Sequence, residues 1–328
     1  MGEWAERTRV GDGPALTGGR TSRVEQSGPQ RWNRTDLDLT TGRTSRVEQG
    51  GLRRGAEGVR RRCQNGHMEL HTHLALADHP RGTVLITHGY AEHSGRYDHF
   101  VSALTDAGWD VHTYDLPGHG SAAGPRARVD VGALVLDHLR VRRAALERSR
   151  TDDLFLFGHS MGGTITAASS LLDRDHLRGV VLTGPAFRPL PSMPPSVARA
   201  LLPAARLAPW TPTVELDDAH VSRVAEVVRA YREDPQVFHG RVPLLTAVTM
   251  VIQGDRVIDN ASMLTVPTLI LHGGADALAD VEGSREYLEH TRNAEINLRI
   301  IDGAYHELLN EPEGPALMQD IILWMGRR

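Results

Sequence analysis

Short apolar runs recur between residues 83 and 301, and stretches with helical spacing separate most of them. Runs without polar alternation predict strands that are buried on both faces. The predicted strands are residues 83–87, 110–114, 154–157, 179–183, 267–271 and 296–301. The predicted helices are residues 97–107, 132–148, a stretch from 164, 284–290 and 315–325. This alternation predicts an α/β fold with a mostly parallel sheet and helices on both faces.

The first 58 residues show neither helical nor strand periodicity. Gly, Arg, Thr and Ser dominate this segment, and the polar octet GRTSRVEQ occurs twice, at 19–26 and 42–49. Two polar copies cannot bury a core, so a repeat fold is not expected. We expect residues 1–58 to form a disordered polar tail. A basic arm that touches nucleic acid or anionic lipid is the competing interpretation.

Two parts of the remaining chain depart from the alternation of strands and helices. Residues 59–77 place apolar positions on both sides of Asn65-Gly66, which predicts a β-hairpin. From residue 188 prolines crowd the chain, followed by an amphipathic helix at about 219–232 and an apolar run at 244–252. The sequence therefore predicts a core interrupted by an inserted cap. The predicted parts are the core at 59–187 and 263–328 and the cap at 188–262.

Composition limits the classes of protein that fit this chain. With 328 residues and 40% hydrophobic positions, it can hold one large α/β domain with an insertion. A net charge of −4 does not favour a nucleic-acid partner. All 37 basic residues are arginine. The lone Cys63 excludes an internal disulfide. Because neither a signal pattern nor a run of roughly 18 apolar residues occurs, we expect a soluble, cytoplasmic protein.

A candidate nucleophile lies in the sequence Gly-His-Ser-Met-Gly-Gly at residues 158–163. The motif follows the predicted strand 154–157 and precedes a predicted helix, which is the context of a nucleophile elbow. In such an elbow the turn is so tight that glycines must flank the serine. The pattern alone is weak, because it arises by chance in chains of this length. Its strand-and-helix context favours Ser160 as a nucleophile.

A serine nucleophile needs a histidine base and a carboxylate that orients the base. In this type of fold the three residues come in the order Ser, Asp or Glu, His, each just after a strand. Asp276 follows the strand 267–271, and His306 follows the strand 296–301. Asp280 is a rival to Asp276, but it lies farther from the strand and fits a loop-capping role better.

The tetrahedral intermediate of ester hydrolysis needs two N–H donors directed at its oxyanion. One predicted donor is the amide of Met161, which directly follows the nucleophile. The other is the amide of Tyr90, in the loop His88-Gly89-Tyr90 after the first buried strand.

The chain resembles the monoacylglycerol lipase and lysophospholipase branch of the α/β-hydrolases, over residues 59–326. The resemblance is carried by the stretches 88–97, 115–120, 158–163, 271–283 and 303–312. It implies an α/β-hydrolase fold, a triad of Ser160, Asp276 and His306, an oxyanion hole of the Tyr90 and Met161 amides, and a lipid-facing cap. It also places Glu92 and Arg96 near the glycerol group of a substrate. An ion pair that stabilises the loop is an equally good interpretation of these two residues.

These observations predict a serine hydrolase that needs neither a cofactor nor a metal. The expected substrates are acyl esters, in particular monoacylglycerols or lysophospholipids, and the cap is expected to make weak contact with membranes or micelles. No nucleic-acid partner is expected. Three rival functions stay open on the same scaffold: a short-chain carboxylesterase, an acyltransferase and a non-catalytic ligand-binding receptor.

Overall fold

The computed structural model describes residues 4–6, 69–189 and 191–328, and its centre is one eight-stranded sheet. The strands are β1 (Trp4–Glu6), β2 (Leu70–His73), β3 (Thr83–Thr87), β4 (Asp110–Tyr114), β5 (Leu154–His159), β6 (Leu177–Thr183), β7 (Thr268–Gly273) and β8 (Ile296–Ile301). Their order across the sheet is β1-β8-β7-β6-β5-β3-β4-β2. Strands β3 to β8 pair in parallel, whereas β1 and β2 pair antiparallel at the two edges. The predicted mostly parallel sheet is confirmed.

Helices cover both faces of the sheet. The helices are α1 (Asp98–Asp106), α2 (Val131–Leu146), α3 (Met161–Leu172), α4 (Pro195–Leu207), α5 (Ala225–Glu233), α6 (Leu244–Asp259), α7 (Val281–His290) and α8 (Gly314–Met325). Among these helices, none combines the length and apolar composition that crossing a bilayer requires.

Neighbouring residues of one strand serve two separate cores. On β3, Val84 and Ile86 belong to a cluster with Phe100 of α1 and Ile321 of α8. Leu85 points the other way, into the larger cluster that α2, α3, α6 and α7 help to form. Because successive side chains of a strand point to opposite faces, a wholly apolar run is needed where both faces are covered. This is why the central strands could be predicted from the sequence.

The predicted cap, residues 188–262, contains α4, α5 and α6. Its own small core joins Ala198 and Ala205 of α4 to Val248 and Ile252 of α6. The helix predicted at about 219–232 is wrong in extent: a 3₁₀ turn covers Asp218–His220, and α5 begins only at Ala225.

The break before α5 has a cause outside the cap. Ser222 Oγ donates to the carbonyl oxygen of Asn310 at 2.9 Å, and the Arg223 amide donates to Glu311 Oε1 at 2.6 Å. These bonds connect residues 222 and 223 to the loop before α8, and they keep this part of the chain from continuing as a helix. Such partners, far away in the sequence, carry no local signal.

Some predictions fall largely outside the described residues. Residues 4–6 of the predicted tail form β1, which pairs with β8 from Trp4 opposite Arg299 to Glu6 opposite Asn297. For the rest of residues 1–58, disorder stays a prediction. The first strand and the turn of the predicted hairpin, together with Cys63, also lie outside the described residues; its second strand contains β2.

Candidate active site

Ser160 lies in a sharp turn between β5 and α3. Its backbone angles are φ 53° and ψ −121°, so a residue with a side chain is held in a region that normally favours glycine. The amide of Ser160 donates to Thr183 O at 3.0 Å, and Ser160 O accepts from the Ala186 amide at 3.0 Å. The neighbouring strand β6 and the loop after it therefore help to hold the strained residue in place.

Two glycines make this turn possible, as the sequence predicted. A Cβ atom on Gly158 would lie 2.5 Å from Thr166 Oγ1 and 2.6 Å from Gly162 O. A Cβ atom on Gly162 would overlap the carbonyl oxygens of Thr87 and His88 at the end of β3. Any side chain at either position would push α3 away from the strands.

Asp276 and His306 meet although 30 residues separate them. His306 Nδ1 donates to Asp276 Oδ2 at 2.6 Å. Asp276 Oδ1 accepts from the amides of Leu278 and Ala279 at 2.8 and 3.0 Å, which fixes the direction of the carboxylate. The bond to Asp276 holds the His306 ring in the tautomer that leaves Nε2 free to accept a proton.

The structure places the rival carboxylate in a different role. Asp280 is the N-terminal cap of α7, and its Oδ1 accepts from the Glu282 amide at 3.0 Å. This is the standard bond of an N-cap aspartate. The predicted capping role of Asp280 is confirmed.

The electrostatic surroundings suit a base and a carboxylate that orients it. Burial acts to raise the pKa of Asp276, but the nearby His306 and His272 hold it well below its usual range. Burial acts to lower the pKa of His306, yet Asp276, Glu307 and Glu92 together raise it. These shifts favour an ionised Asp276 beside His306, as a carboxylate that stabilises an imidazolium requires.

A pH profile of activity should report on this coupling. Only neutral His306 can act as a base, so kcat/KM for an uncharged ester should rise with pH to a midpoint above the ordinary histidine value of 6.5. Removing the carboxylate charge with Asp276→Asn should move the residual midpoint downwards. Burial and the nearby His306 lower the pKa of His159 to about 4, so His159 titrates at a lower pH than His306. A wild-type midpoint below 6.5 would contradict a raised pKa of His306.

Ser160 and His306 line one cavity of about 120 Å³ beneath the cap. Gly89, Tyr90 and His159 line it beside them. Its apolar wall includes residues from the cap: Met193, Val214, Leu216, Val242, Met250 and Val251. The site thus combines a polar end at Ser160 with an apolar wall.

The two predicted oxyanion donors belong to the loop after β3 and to the start of α3. Tyr90 follows the end of β3, and Met161 is the first residue of α3. Within the described part of the chain, neither amide donates a hydrogen bond to another protein group. Both N–H groups therefore keep their donor capacity for a ligand.

Glu92 and Arg96 form an ion pair. Arg96 Nη1 donates to Glu92 Oε2 at 2.9 Å, and its Nη2 donates to Glu307 Oε2 at 2.8 Å. Glu92 lines the cavity with Ser160, whereas Arg96 does not. This geometry matches the interpretation as an ion pair, and a substrate contact stays a prediction for both residues.

The sequence did not identify two further residues of the site, Glu307 and His272. Glu307 binds Arg96, and His272 Nε2 lies 3.4 Å from Asp276 Oδ2. Glu307 directly follows His306, and His272 lies in β7, but neither position carries a motif of its own.

Comparison with known proteins gives matches over the same region. Residues 78–313 match the family Hydrolase_4, described as serine aminopeptidase, S33. The monoacylglycerol lipase of Mycolicibacterium smegmatis is 36% identical over 247 residues, which cover 75% of this chain and 88% of that protein. The monoglyceride lipase of Homo sapiens is 30% identical over 76% of this chain and 84% of that protein.

A solved structure supports the same assignment. The crystal structure of Paleococcus ferrophilus monoacylglycerol lipase matches with a TM-score of 0.70 and 29% identity, over 80% of this chain and 99% of that one. The resemblance predicted from the sequence motifs is thereby confirmed. The chain belongs to the Hydrolase_4 family, in the monoacylglycerol lipase branch of the α/β-hydrolases, and is a serine ester hydrolase.

Proposed function

We propose that this chain hydrolyses medium- and long-chain monoacylglycerols through an acyl-enzyme on Ser160. The observation that carries the proposal is the cavity in which Ser160 and His306 lie against an apolar wall, with His306 bound to Asp276. Relatives named as monoacylglycerol lipases support the choice of substrate. Lysophospholipids are the second substrate class, since they share the acyl ester and differ in the head group.

In the proposed reaction, Ser160 Oγ attacks the ester carbonyl while His306 Nε2 takes the hydroxyl proton. The Tyr90 and Met161 amides donate to the oxyanion of the tetrahedral intermediate. The intermediate collapses, and glycerol leaves with the proton from His306. His306 then takes a proton from water, which attacks the acyl-enzyme. The second intermediate releases the fatty acid, and the proton returns to Ser160.

The length of the acyl chain should decide the rate. Each buried CH₂ group contributes about 0.8 kcal/mol, so an apolar wall favours long chains strongly over acetate. We expect kcat/KM to rise along a series of monoacylglycerols from acetyl to decanoyl and longer. A preference for acetyl or butyryl esters would replace the lipase proposal with a general carboxylesterase.

The same panel, extended with an added alcohol and with aminoacyl anilides, distinguishes three rival activities from hydrolysis of monoacylglycerols. Faster acyl transfer to an added alcohol than to water would indicate an acyltransferase. Cleavage of aminoacyl anilides in preference to esters would favour the peptidase activity in the family description. Absence of turnover on every ester, with retained lipid binding, would indicate a ligand-binding receptor.

We also propose that the cap makes weak, reversible contact with lipid surfaces. Leu207, at the end of α4, is 88% exposed, and Trp210 after it is 55% exposed. Exposed apolar side chains lower the free energy of the system when they enter the headgroup region of a lipid surface. A few such side chains give only weak binding. A cytoplasmic location stays a prediction beside this proposal.

A matched pair of exposed leucines tests the surface contact. Leu207→Asp should lower the partition coefficient onto lipid vesicles by about 10-fold or more, since a buried leucine contributes about 1.5–3 kcal/mol and each ~1.4 kcal/mol is a factor of ten. The control is Leu323→Asp on α8, where Leu323 is 56% exposed outside the cap. Vesicle sedimentation gives the readout. Equal losses in both variants would contradict a contact specific to the cap.

A further inference from the structure

In the loop after β3, His88 holds the peptide that carries the Tyr90 amide. His88 Nδ1 donates to Gly89 O at 2.8 Å, and His88 Nε2 accepts from the Leu116 amide at 2.9 Å. Gly89 O and the Tyr90 N–H belong to the same planar peptide and point in opposite directions. Holding the carbonyl oxygen therefore fixes the direction of the Tyr90 N–H.

Glu92 holds the preceding peptide. Its Oε1 accepts from the Gly89 amide at 2.6 Å and from Tyr97 Oη at 2.8 Å. The residue is only 3% exposed, so its carboxylate is removed from water at the wall of the cavity. Both peptides of the loop that leads to Tyr90 are thus fixed by buried side chains.

Arg96 connects this loop to the loop that carries the base. Its guanidinium binds Glu92 on one side and both carboxylate oxygens of Glu307 on the other. Glu307 directly follows His306, and its amide donates to Val221 O at 2.8 Å. Residues 211 positions apart are therefore joined by charge-assisted bonds, which are stronger than bonds between neutral groups.

The charge state of Glu92 agrees with a permanent anchor. Burial acts to raise its pKa, but Arg96, His159 and His88 lower it to about 2. Its oxygens already accept three hydrogen bonds from protein groups. The ionised carboxylate therefore already binds groups of the loop before any substrate enters.

We propose that Glu92, held by Arg96 and Glu307, is a positioning residue that orients the Tyr90 amide towards the oxyanion. This inference rests on the proposed serine ester hydrolysis and assigns Glu92 a task that does not depend on the glycerol group. Complete loss of one oxyanion donor lowers kcat by about 10²- to 10³-fold. A donor that is only turned away from the oxyanion should cost less. Loss of the Glu92 carboxylate should therefore slow the hydrolysis of every ester, whatever its leaving group.

Two esters with the same acyl chain, a monoacylglycerol and a p-nitrophenyl ester, test the inference. Glu92→Ala should lower kcat by about 10- to 100-fold on both, with KM nearly unchanged. The variant leaves Arg96 paired with Glu307, so it creates no unpaired buried charge. Glu92→Gln should recover part of the loss, because its carbonyl oxygen can still accept from the Gly89 amide.

Controls separate positioning from other roles. Glu295, which pairs with Arg328 on the surface, provides a matched variant: Glu295→Gln should leave both rates unchanged. Thermal melting of each variant shows whether it folds; should Glu92→Ala not fold, Glu92→Gln carries the test, with a smaller loss of kcat on both esters.

Three results would overturn the inference. A loss confined to the monoacylglycerol would identify Glu92 as a glycerol contact. Unchanged rates on both esters would leave the ion pair with a structural role only. A wild-type protein that hydrolyses neither ester would overturn the proposed function and this inference with it, which distinguishes the two failures.

Discussion

Ser160→Ala is expected to lower kcat by about 10³- to 10⁶-fold while the protein keeps its melting temperature. In the proposed reaction the hydroxyl forms the acyl-enzyme, so its removal leaves only oxyanion stabilisation and binding. Loss of the side-chain oxygen does not change the backbone strain at φ 53°, because alanine keeps the Cβ atom.

His306→Ala should have an effect of similar size, and the double variant should lose little more. Residues that act as one unit give strongly non-additive losses, because either change alone already abolishes the shared step. Steady-state kinetics on a p-nitrophenyl ester, with melting curves for all three variants, provide the measurement. Multiplicative losses would show that the two residues act in separate steps.

Asp276→Asn should lower kcat by about 10⁴-fold, because an amide cannot hold His306 in the required tautomer or stabilise its charged form. The change keeps the shape of the side chain, and the carbonyl oxygen of the amide can still accept from the Leu278 amide.

Asp280→Asn is the matched control for this carboxylate. Asparagine caps helices about as well as aspartate, so α7 should keep its first turn and activity should stay near the wild-type rate. Kinetics and melting curves of both variants decide between the two residues. If Asp280→Asn were the disabling change, the assignment of the carboxylate would be wrong.

The central sheet could be predicted because its signal is local. The run at β3 is apolar on both faces, since Val84 and Leu85 enter different cores. The placement of Ser160, Asp276 and His306 at one edge of the sheet also follows from local signals, because each comes within a few residues of the end of a parallel strand and such strands end at one edge. The structure brings Asp276 and His306 into contact as the strand order implied.

Several features depend on partners that the sequence places far away. The start of α5 is set by bonds from Ser222 and Arg223 to residues 88 positions later. Glu307 carried no signal, because its partner Arg96 lies 211 positions earlier in the chain. Periodicity reports which face is buried, but it does not report which charged groups meet across the fold.

Covalent labelling tests most directly whether Ser160 is the nucleophile of an ester hydrolase. The protein is treated with a fluorophosphonate, digested, and analysed by tandem mass spectrometry of the peptide that contains residues 151–174. We predict one adduct on Ser160, none on Ser169 or Ser170 in the same peptide, and loss of esterase activity in proportion to labelling. Complete labelling at another residue, or full esterase activity with Ser160 labelled, would contradict the account.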